Sequence, residues 1–249
     1  MMRAVASPAR RKLLRRGAEL RRKMSGAPHR VDYFHQVGDP YSHLACQAFL
    51  PLLQRYEIEL TPHLAAAPDD NAVPERELFD AFARRDAADI APHFGVAFRD
   101  PGRAPAAPLV RRAECILAGA LASARFGELA TQVGEALWAG DAEALERLAE
   151  ASPPADERDT ARRITEGTQR RTSMGHYLNA TFHYGDEWYW GVDRLGYLEE
   201  RLRELDVARA EGGERAFAPP AETCAANGVF FREPLNPFFP ADDQLIVLP

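Results

Sequence analysis

The chain has 249 residues, 46% of them hydrophobic, and a formal net charge of −6. This length suffices for one substantial hydrophobic core, or for one domain that carries a subdomain. Residues 1–30 hold ten Lys or Arg side chains and one acidic side chain, Glu19, which leaves 21 basic and 36 acidic side chains for the rest of the chain. The acidic body argues against a nucleic-acid-binding domain, so no nucleic-acid partner is expected.

Residues 1–29 form a basic arm that contains the segment ARRKLLRRGAELRRKM. No apolar run follows its arginine pairs, so the arm does not have the pattern of a signal peptide. Two interpretations stay open. The arm is a solvated or frayed helix, or it docks on a membrane surface or a partner, because Leu13, Leu14 and Leu20 lie among the arginines.

The next segment, residues 30–74, predicts a β-α-β unit. VDYFHQV is typical of a buried strand that ends at Gly38. Asp39 then fits the N-cap of a helix and Pro40 its first position, where the missing N–H costs nothing. YSHLACQAFLPLLQRY has helical spacing, although Pro51 predicts a kink or a break, and EIELTPHLA predicts the second strand.

Residues 75–173 read as an all-helical insertion, with a break between two helices at Gly140 and Asp141. In residues 174–207 the strand pattern returns. ATFHYGDEWYWG predicts a hairpin that turns at Gly185-Asp186. An amphipathic helix follows, with Leu195, Leu198, Leu202 and Leu205 on its inner face. Residues 208–249 predict an extended tail, rich in Phe and Pro, that wraps the body.

Two segments and their order resemble a known family over residues 30–207. YFHQVGDPYSHLA is similar to the strand-to-helix segment, and ATFHYGDEWYWGVDRLGYLEERL to the closing hairpin and helix, of the thioredoxin-fold family. That family contains the DsbA-like oxidoreductases, the 2-hydroxychromene-2-carboxylate isomerases and the kappa-class glutathione transferases. The resemblance implies an α/β, thioredoxin-like fold with an all-helical insertion between its βαβ and ββα halves.

The resemblance also indicates which residues occupy the family's active-site turn. The oxidoreductases have a C-x-x-C there, and Asp39 and Ser42 match its two cysteines. Without a thiol, disulfide exchange at this turn is excluded. In the isomerases and transferases the first position is typically a serine that stabilises the thiolate of glutathione. A carboxylate at Asp39 would repel that thiolate, and it could instead accept a proton as a general base.

Glutathione is the cofactor that the resemblance implies. Ala180 stands where the family has a cis-proline that grips the tripeptide, with Thr181 after it, and a trans peptide bond is the default before an alanine. Asp193 and Arg194 match the family's segment at the start of the last helix. Asp193 either pairs with the ammonium group of glutathione or simply caps that helix.

Polar residues gather at the end of the sheet where α/β proteins bind ligands. Asp39, Ser42, Tyr41 and His35 are therefore the predicted catalytic residues, although an N-cap role alone would also explain Asp39. A metal site from His35, Asp39 and His183 is conceivable, but no ligand spacing supports it, so no metal is predicted.

The remaining candidates each have a structural interpretation. Trp188 and Trp190 either pack the hairpin or form the wall of a pocket for an aromatic ligand. Arg170 and Arg171 form an anion site or a solvated surface.

The three cysteines, Cys46, Cys115 and Cys224, are not in a C-x-x-C, and a redox role for Cys46 is disfavoured because it would be buried. This usage is typical of a reduced, cytoplasmic protein. The chain has no run of about 18 apolar residues, so no transmembrane segment is expected.

Two functions are consistent with these residues. The first is a glutathione-linked isomerase or transferase that acts on a small, aromatic substrate, as a possible homodimer. The second is a non-catalytic thioredoxin-fold protein that holds a protein partner.

Overall fold

A computed structural model describes residues 8–210 and 213–217 of the chain. The sheet in this part has four strands, namely β1 (His29–His35), β2 (Ile58–Leu64), β3 (Thr181–Tyr184) and β4 (Glu187–Trp190). Their order is β2-β1-β3-β4, with β2 parallel to β1 and the other two pairs antiparallel. None of the helices described here is long and apolar enough to cross a membrane.

Eight α-helices accompany this sheet in the described residues. They are α1 (Pro8–Ser25), α2 (Pro40–Arg55), α3 (Arg76–Ile90), α4 (Ala107–Gly119), α5 (Phe126–Ala139), α6 (Ala142–Ala151), α7 (Glu157–Ser173) and α8 (Leu195–Glu204). Two short 3-10 helices add Ala91–Phe94 and Val192–Arg194. Helices α3 to α7 all lie between β2 and β3, which confirms the helical insertion that the sequence predicts.

The core lies between the sheet and α2. Tyr33 of β1 and Phe49 of α2 stack on opposite sides of Phe182 in β3, with ring centroids 4.6 and 4.7 Å apart. Leu44 and Leu52 of α2 are fully buried against this stack. Helix α2 continues through Pro51 to Arg55, so a split at this proline is wrong, and the alternative, a kink, stays a prediction.

The hairpin between β3 and β4 turns where the sequence predicts. Gly185 has φ 58° and Asp186 has φ 67°, as the two central residues of a type I′ turn require. Helix α8 then buries Leu195, Leu198 and Leu202 completely. These elements complete the ββα half of the fold.

The insertion packs on both sides of the sheet. Helix α5 lies against α2, and α7 lies against β2. Gly140 ends α5 with φ 71°, and the Asp141 side chain caps α6 by accepting the Ala144 N–H at 2.8 Å, which confirms the predicted break. The insertion therefore places one helix beside the start of α2 and another beside the opposite face of the sheet.

The basic arm contains α1, which is bound to the body by ion pairs. The Arg15 guanidinium contacts Glu187 at 2.8 Å and Glu204 at 3.0 Å. Leu13, Leu14 and Leu20 stay exposed. The arm helix is therefore held against the body of its own chain, and docking on a membrane surface or a partner stays a prediction, while residues 1–7 lie outside the described part.

The segment after α8 returns to the body. The Arg209 N–H donates to the Arg55 carbonyl at 2.8 Å. The N–H groups of Ala216 and Phe217 donate to the carboxylate of Glu199 at 2.6 and 2.8 Å, and this fully buried carboxylate also accepts the Tyr56 hydroxyl at 2.8 Å. No local sequence pattern marks this glutamate as buried. Most of the predicted Phe/Pro-rich tail, residues 218–249, lies outside the described residues.

Candidate active site

Asp39 forms the N-cap of α2 and uses the polar groups of the first turn. Its Oδ2 accepts the Ser42 N–H at 2.9 Å and the Ser42 hydroxyl at 2.7 Å, and its Oδ1 accepts the Tyr41 N–H at 3.3 Å. Pro40 has no N–H to offer. The donors at this helix end therefore already bind a carboxylate that belongs to the chain itself.

The carboxyl of Asp39 has an unusual acidity. Burial raises its pKa to about 6, although the hydrogen bonds from Ser42 and Tyr41 act in the opposite direction. Its side chain is partly buried and forms no ion pair with Lys or Arg in the described part of the chain. Both protonation states of Asp39 are thus accessible near neutral pH, as acid–base catalysis requires.

His35 is uncharged and held in one tautomer. The Tyr33 hydroxyl donates its single proton to the Ser42 carbonyl at 2.8 Å, and the Tyr33 oxygen lies 2.9 Å from Nδ1 of His35. Nδ1 must therefore donate to that oxygen, which leaves Nε2 as an acceptor. Burial lowers the pKa of His35 to about 3, so the imidazole is neutral.

The Gln47 amide determines which ring nitrogen of His43 carries the proton. The Gln47 amide is oriented by Ala97, whose N–H donates to Oε1 and whose carbonyl accepts from Nε2, each at 3.0 Å. Nε2 of Gln47 also lies 3.1 Å from the His43 carbonyl and 3.0 Å from Nε2 of His43, so its two protons are shared among three acceptors, and this amide nitrogen can only donate to the ring. Burial lowers the pKa of His43 to about 4, so the neutral ring has its N–H at Nδ1.

A small cavity joins these groups. Its space for the centre of a water molecule is about 10 Å³, enough for roughly one water. Polar lining comes from His35, Asp39 and His43. The other lining residues are Gln36, Val37, Gly38, Leu117, Val133, Gly134, Leu137 and Trp138. The turn after β1 thus forms one wall, and α4 and α5 of the insertion form the other.

The four predicted catalytic residues divide into two groups. His35 and Asp39 line the cavity. Ser42 is fully buried and supports Asp39 through its hydroxyl and N–H. Tyr41 donates its hydroxyl to Asp86 of α3 at 2.7 Å and does not line the cavity. The sequence indicates that His43 lies near the predicted catalytic residues. Its surroundings depend on Ala97 and on Gly134 of α5, which are distant in sequence, so the sequence does not predict them.

Two of the four predicted cofactor-binding residues are inaccessible and two are exposed. Ala180 and Thr181 are fully buried, and the Ala180 carbonyl accepts the Gly191 N–H at 2.9 Å. Every described peptide bond is trans, as predicted before Ala180. Asp193 and Arg194 are exposed and pair with each other at 3.3 Å, and Asp193 does not cap α8.

These contacts do not fit the thiolate of glutathione. The hydroxyl of Ser42 and the N–H groups of Tyr41 and Ser42 are the donors that a thiolate at this turn would need, and Asp39 uses all three. A second anion beside the ionised carboxylate would be repelled.

The other candidates lie elsewhere. The ring of His183 contacts Trp188 at 4.7 Å, and Trp188 also stacks on His176 at 4.7 Å, so these side chains are not part of the cavity lining. Among the described residues no group of three or more His, Cys, Asp or Glu side chains could hold a metal ion. Burial raises the pKa of Cys46 to about 12, so its thiol is unreactive.

The two neighbouring arginines have separate structural partners. Arg170 donates to Asp32 at 3.0 Å, and His63 donates to the same oxygen at 2.7 Å. Arg171 is only 3% exposed and bonds to Asn179. Arg170 therefore belongs to an ion-pair network on the face of the sheet that α7 covers.

Structural comparison identifies the fold. No protein-family model matches this sequence, and no curated protein matches it. A 2-hydroxychromene-2-carboxylate isomerase structure is similar, with 20% identity and a TM-score of 0.53 over 71% of this chain and 96% of that chain. A probable DsbA oxidoreductase from Streptomyces coelicolor is 14% identical, with a TM-score of 0.53 over 71% of this chain and 89% of that one. The chain therefore has the thioredoxin-like fold of DsbA-type proteins, as its two sequence segments predict.

Proposed function

We propose that the protein is an isomerase-type enzyme that moves a proton within a small molecule, with Asp39 as the acid–base group. The observation that carries this proposal is the carboxyl of Asp39 in the lining of a cavity, with its pKa raised to about 6. A carboxyl with this pKa can take up and return a proton near neutral pH.

The position of Asp39 in the fold supports the same function. It stands at the start of α2, at the sheet end where α/β proteins bind ligands. One protein with a similar fold is by name a 2-hydroxychromene-2-carboxylate isomerase. The proposal leaves the substrate open, because Trp188 and Trp190, the basis for an aromatic substrate, do not line the cavity.

Glutathione is left out of this proposal because the donors at the turn are already used. Titration with reduced glutathione, followed by calorimetry, tests that choice directly. We expect no saturable binding at millimolar glutathione. Saturable binding that disappears in Asp193→Ala would restore the glutathione-linked enzyme that the sequence resemblance implies.

Hydrogen exchange tests the proposed function without knowledge of the natural substrate. A panel of small ketones, aldehydes and oxo acids is incubated with the protein in D2O, and loss of C–H signals is followed by proton NMR. We expect exchange with at least one compound, and a loss of roughly 100-fold or more in Asp39→Asn. The control Asp70→Asn removes an exposed carboxylate and leaves exchange unchanged. Absence of Asp39-dependent exchange across the panel rejects the proposal.

One observation favours the non-catalytic alternative. Asp39 makes the hydrogen bonds of an ordinary N-cap, which are worth about 1 kcal/mol of stability. In that case Asp39→Ala loses about this stability and no activity is found. The protein partner, the homodimer and the cytoplasmic location stay predictions.

A further inference from the structure

The cavity beside Asp39 contains one donor that has no acceptor. Nδ1 of His43 is buried and has no hydrogen-bond partner among the described residues. The tautomer fixed by Gln47 and Ala97 places a proton on this nitrogen. A buried N–H without an acceptor costs about 1–3 kcal/mol, so a site that keeps one needs a reason.

The same cavity contains an acceptor that has no donor. His35 uses its Nδ1–H on the Tyr33 oxygen, and within the described chain nothing donates to its Nε2. One neutral N–H and one neutral ring nitrogen thus line a space of about 10 Å³. An oxygen that accepts one hydrogen bond and donates another satisfies both groups.

We propose that this cavity is the oxygen subsite of the reaction, and that the substrate is a β,γ-unsaturated carbonyl compound whose carbonyl oxygen becomes an enolate oxygen at Nδ1 of His43. This inference rests on the proposed function of Asp39. The space and its two polar partners also suit one water molecule, which the carbonyl oxygen would displace.

The subsite explains how the carboxylate of Asp39 removes a proton from carbon. Asp39 takes the proton from the carbon next to the carbonyl, and the C–H electron pair forms a carbon–carbon double bond. The carbonyl π pair moves to the oxygen, which the Nδ1–H of His43 stabilises. Protonated Asp39 then returns the proton to the γ-carbon, the double bond moves into conjugation with the carbonyl as the carbonyl reforms, and the atoms and electrons balance.

A neutral imidazole is suited to this role. Because burial keeps His43 uncharged, it stabilises developing negative charge by a hydrogen bond without giving up its proton. Gly134 of α5 makes room for the ring, since a Cβ there would lie 2.2 Å from Nδ1. The insertion therefore supplies the wall that places the donor.

Phenol is the probe for the test, because it carries a hydroxyl on an sp² carbon as an enol does. Histidine ¹⁵N NMR on the wild-type protein first reports the tautomer of His43, which needs no variant. We expect a proton on Nδ1, and shifts at Nδ1 of His43 and Nε2 of His35 as phenol is added. His43→Phe keeps a ring but loses the donor, and we expect phenol affinity to fall about tenfold. The control His176→Phe leaves the affinity unchanged.

The outcomes separate the subsite from the proposed function. A proton on Nε2 of His43, or no phenol-dependent shift at either histidine, overturns the subsite whether or not exchange is seen. Phenol binding at His43 without Asp39-dependent exchange of any carbonyl compound keeps an oxygen site but rejects the reaction and the substrate class. Exchange that is unaffected in His43→Phe also overturns the catalytic role of His43.

Discussion

Two aspartates close together in sequence have opposite surroundings. Asp32 in β1 accepts hydrogen bonds from His63 and Arg170, while Asp39 accepts only from uncharged donors of its own turn. Burial alone would raise both pKa values. The pKa of Asp32 is nevertheless lowered, because His63 and Arg170 outweigh its burial, whereas that of Asp39 rises to about 6.

The fold thus assigns one aspartate to stability and leaves the other available for chemistry. Each aspartate lies beside a different helix of the insertion, since α7 supplies Arg170 to Asp32 and α5 forms the cavity wall opposite Asp39. A paired carboxylate stays ionised and holds elements together. An unpaired carboxylate is free to exchange protons, which is what a catalytic acid–base group needs.

The largest expected effect on stability is at Asp32. Asp32→Asn removes the charge that compensates Arg170 and weakens the bond from His63, and we expect the free energy of unfolding to fall by about 3 kcal/mol, at the low end for a buried pair because Arg170 is half exposed. Urea unfolding at pH 7 measures it. The control Asp159→Asn removes a carboxylate that pairs with Arg162 and Arg163 at the surface, and we expect a change too small to resolve.

Residual activity sharpens this prediction. Under conditions where Asp32→Asn is still folded, its Asp39-dependent exchange is expected to match that of the wild type, because Asp32 does not line the cavity. A loss of exchange in the folded variant would show that the two aspartates are coupled, and the separation argued above would be wrong.

Local sequence signals account for the fold and for the position of Asp39 in the site. The N-cap at Asp39, the hairpin at Gly185-Asp186 and the break at Gly140 each depend on residues next to one another, and all three were predictable. The resemblance of two segments placed the turn at Asp39 correctly on the thioredoxin-like fold. These features are set by short-range backbone preferences, which a single sequence contains.

Long-range contacts account for what the sequence could not show. The tautomer of His43 depends on Ala97, and its free space on Gly134, both in the insertion. The three donors to buried Glu199 come from distant parts of the chain. No local pattern encodes these pairs, because tertiary packing decides which segments meet.

The pH dependence of stability is expected to differ in sign between the two aspartates. Because the folded-state pKa of Asp39 is raised, its favourable contribution is present below pH 4 and is lost as the pH rises through about 6. Relative to Asp39→Asn, the wild type should lose about 2.4 kcal/mol between pH 4 and pH 7. Because the pKa of Asp32 is lowered, its contribution is present above pH 4 and is lost below it.

Urea unfolding of the wild type and both variants between pH 3 and pH 8 measures the two profiles. The difference between each variant and the wild type isolates one carboxyl from all other titrating groups. A flat difference for Asp39→Asn would mean that its pKa is ordinary, and the case for acid–base chemistry at this turn would lose its main support.

The smallest effects are expected at two helical glycines, one beside each aspartate. A Cβ at Gly167 in α7 would lie 2.0 Å from the Leu64 carbonyl oxygen, and one at Gly134 in α5 would lie 2.2 Å from Nδ1 of His43. Backbone cannot move aside as a side chain can. Gly167→Ala should therefore lose about 2 kcal/mol of stability, and Gly134→Ala less.

Gly134→Ala should instead act on the site. Its Cβ pushes the His43 ring from its place, so we expect weaker phenol binding and slower exchange at nearly unchanged stability. The matched control is Gly17→Ala in α1, where the nearest atom is 3.7 Å away and alanine favours the helix by up to about 1 kcal/mol. If Gly134→Ala leaves phenol binding and exchange intact, the position of His43 against α5 does not govern the site, and α5 has the same purely structural role as α7.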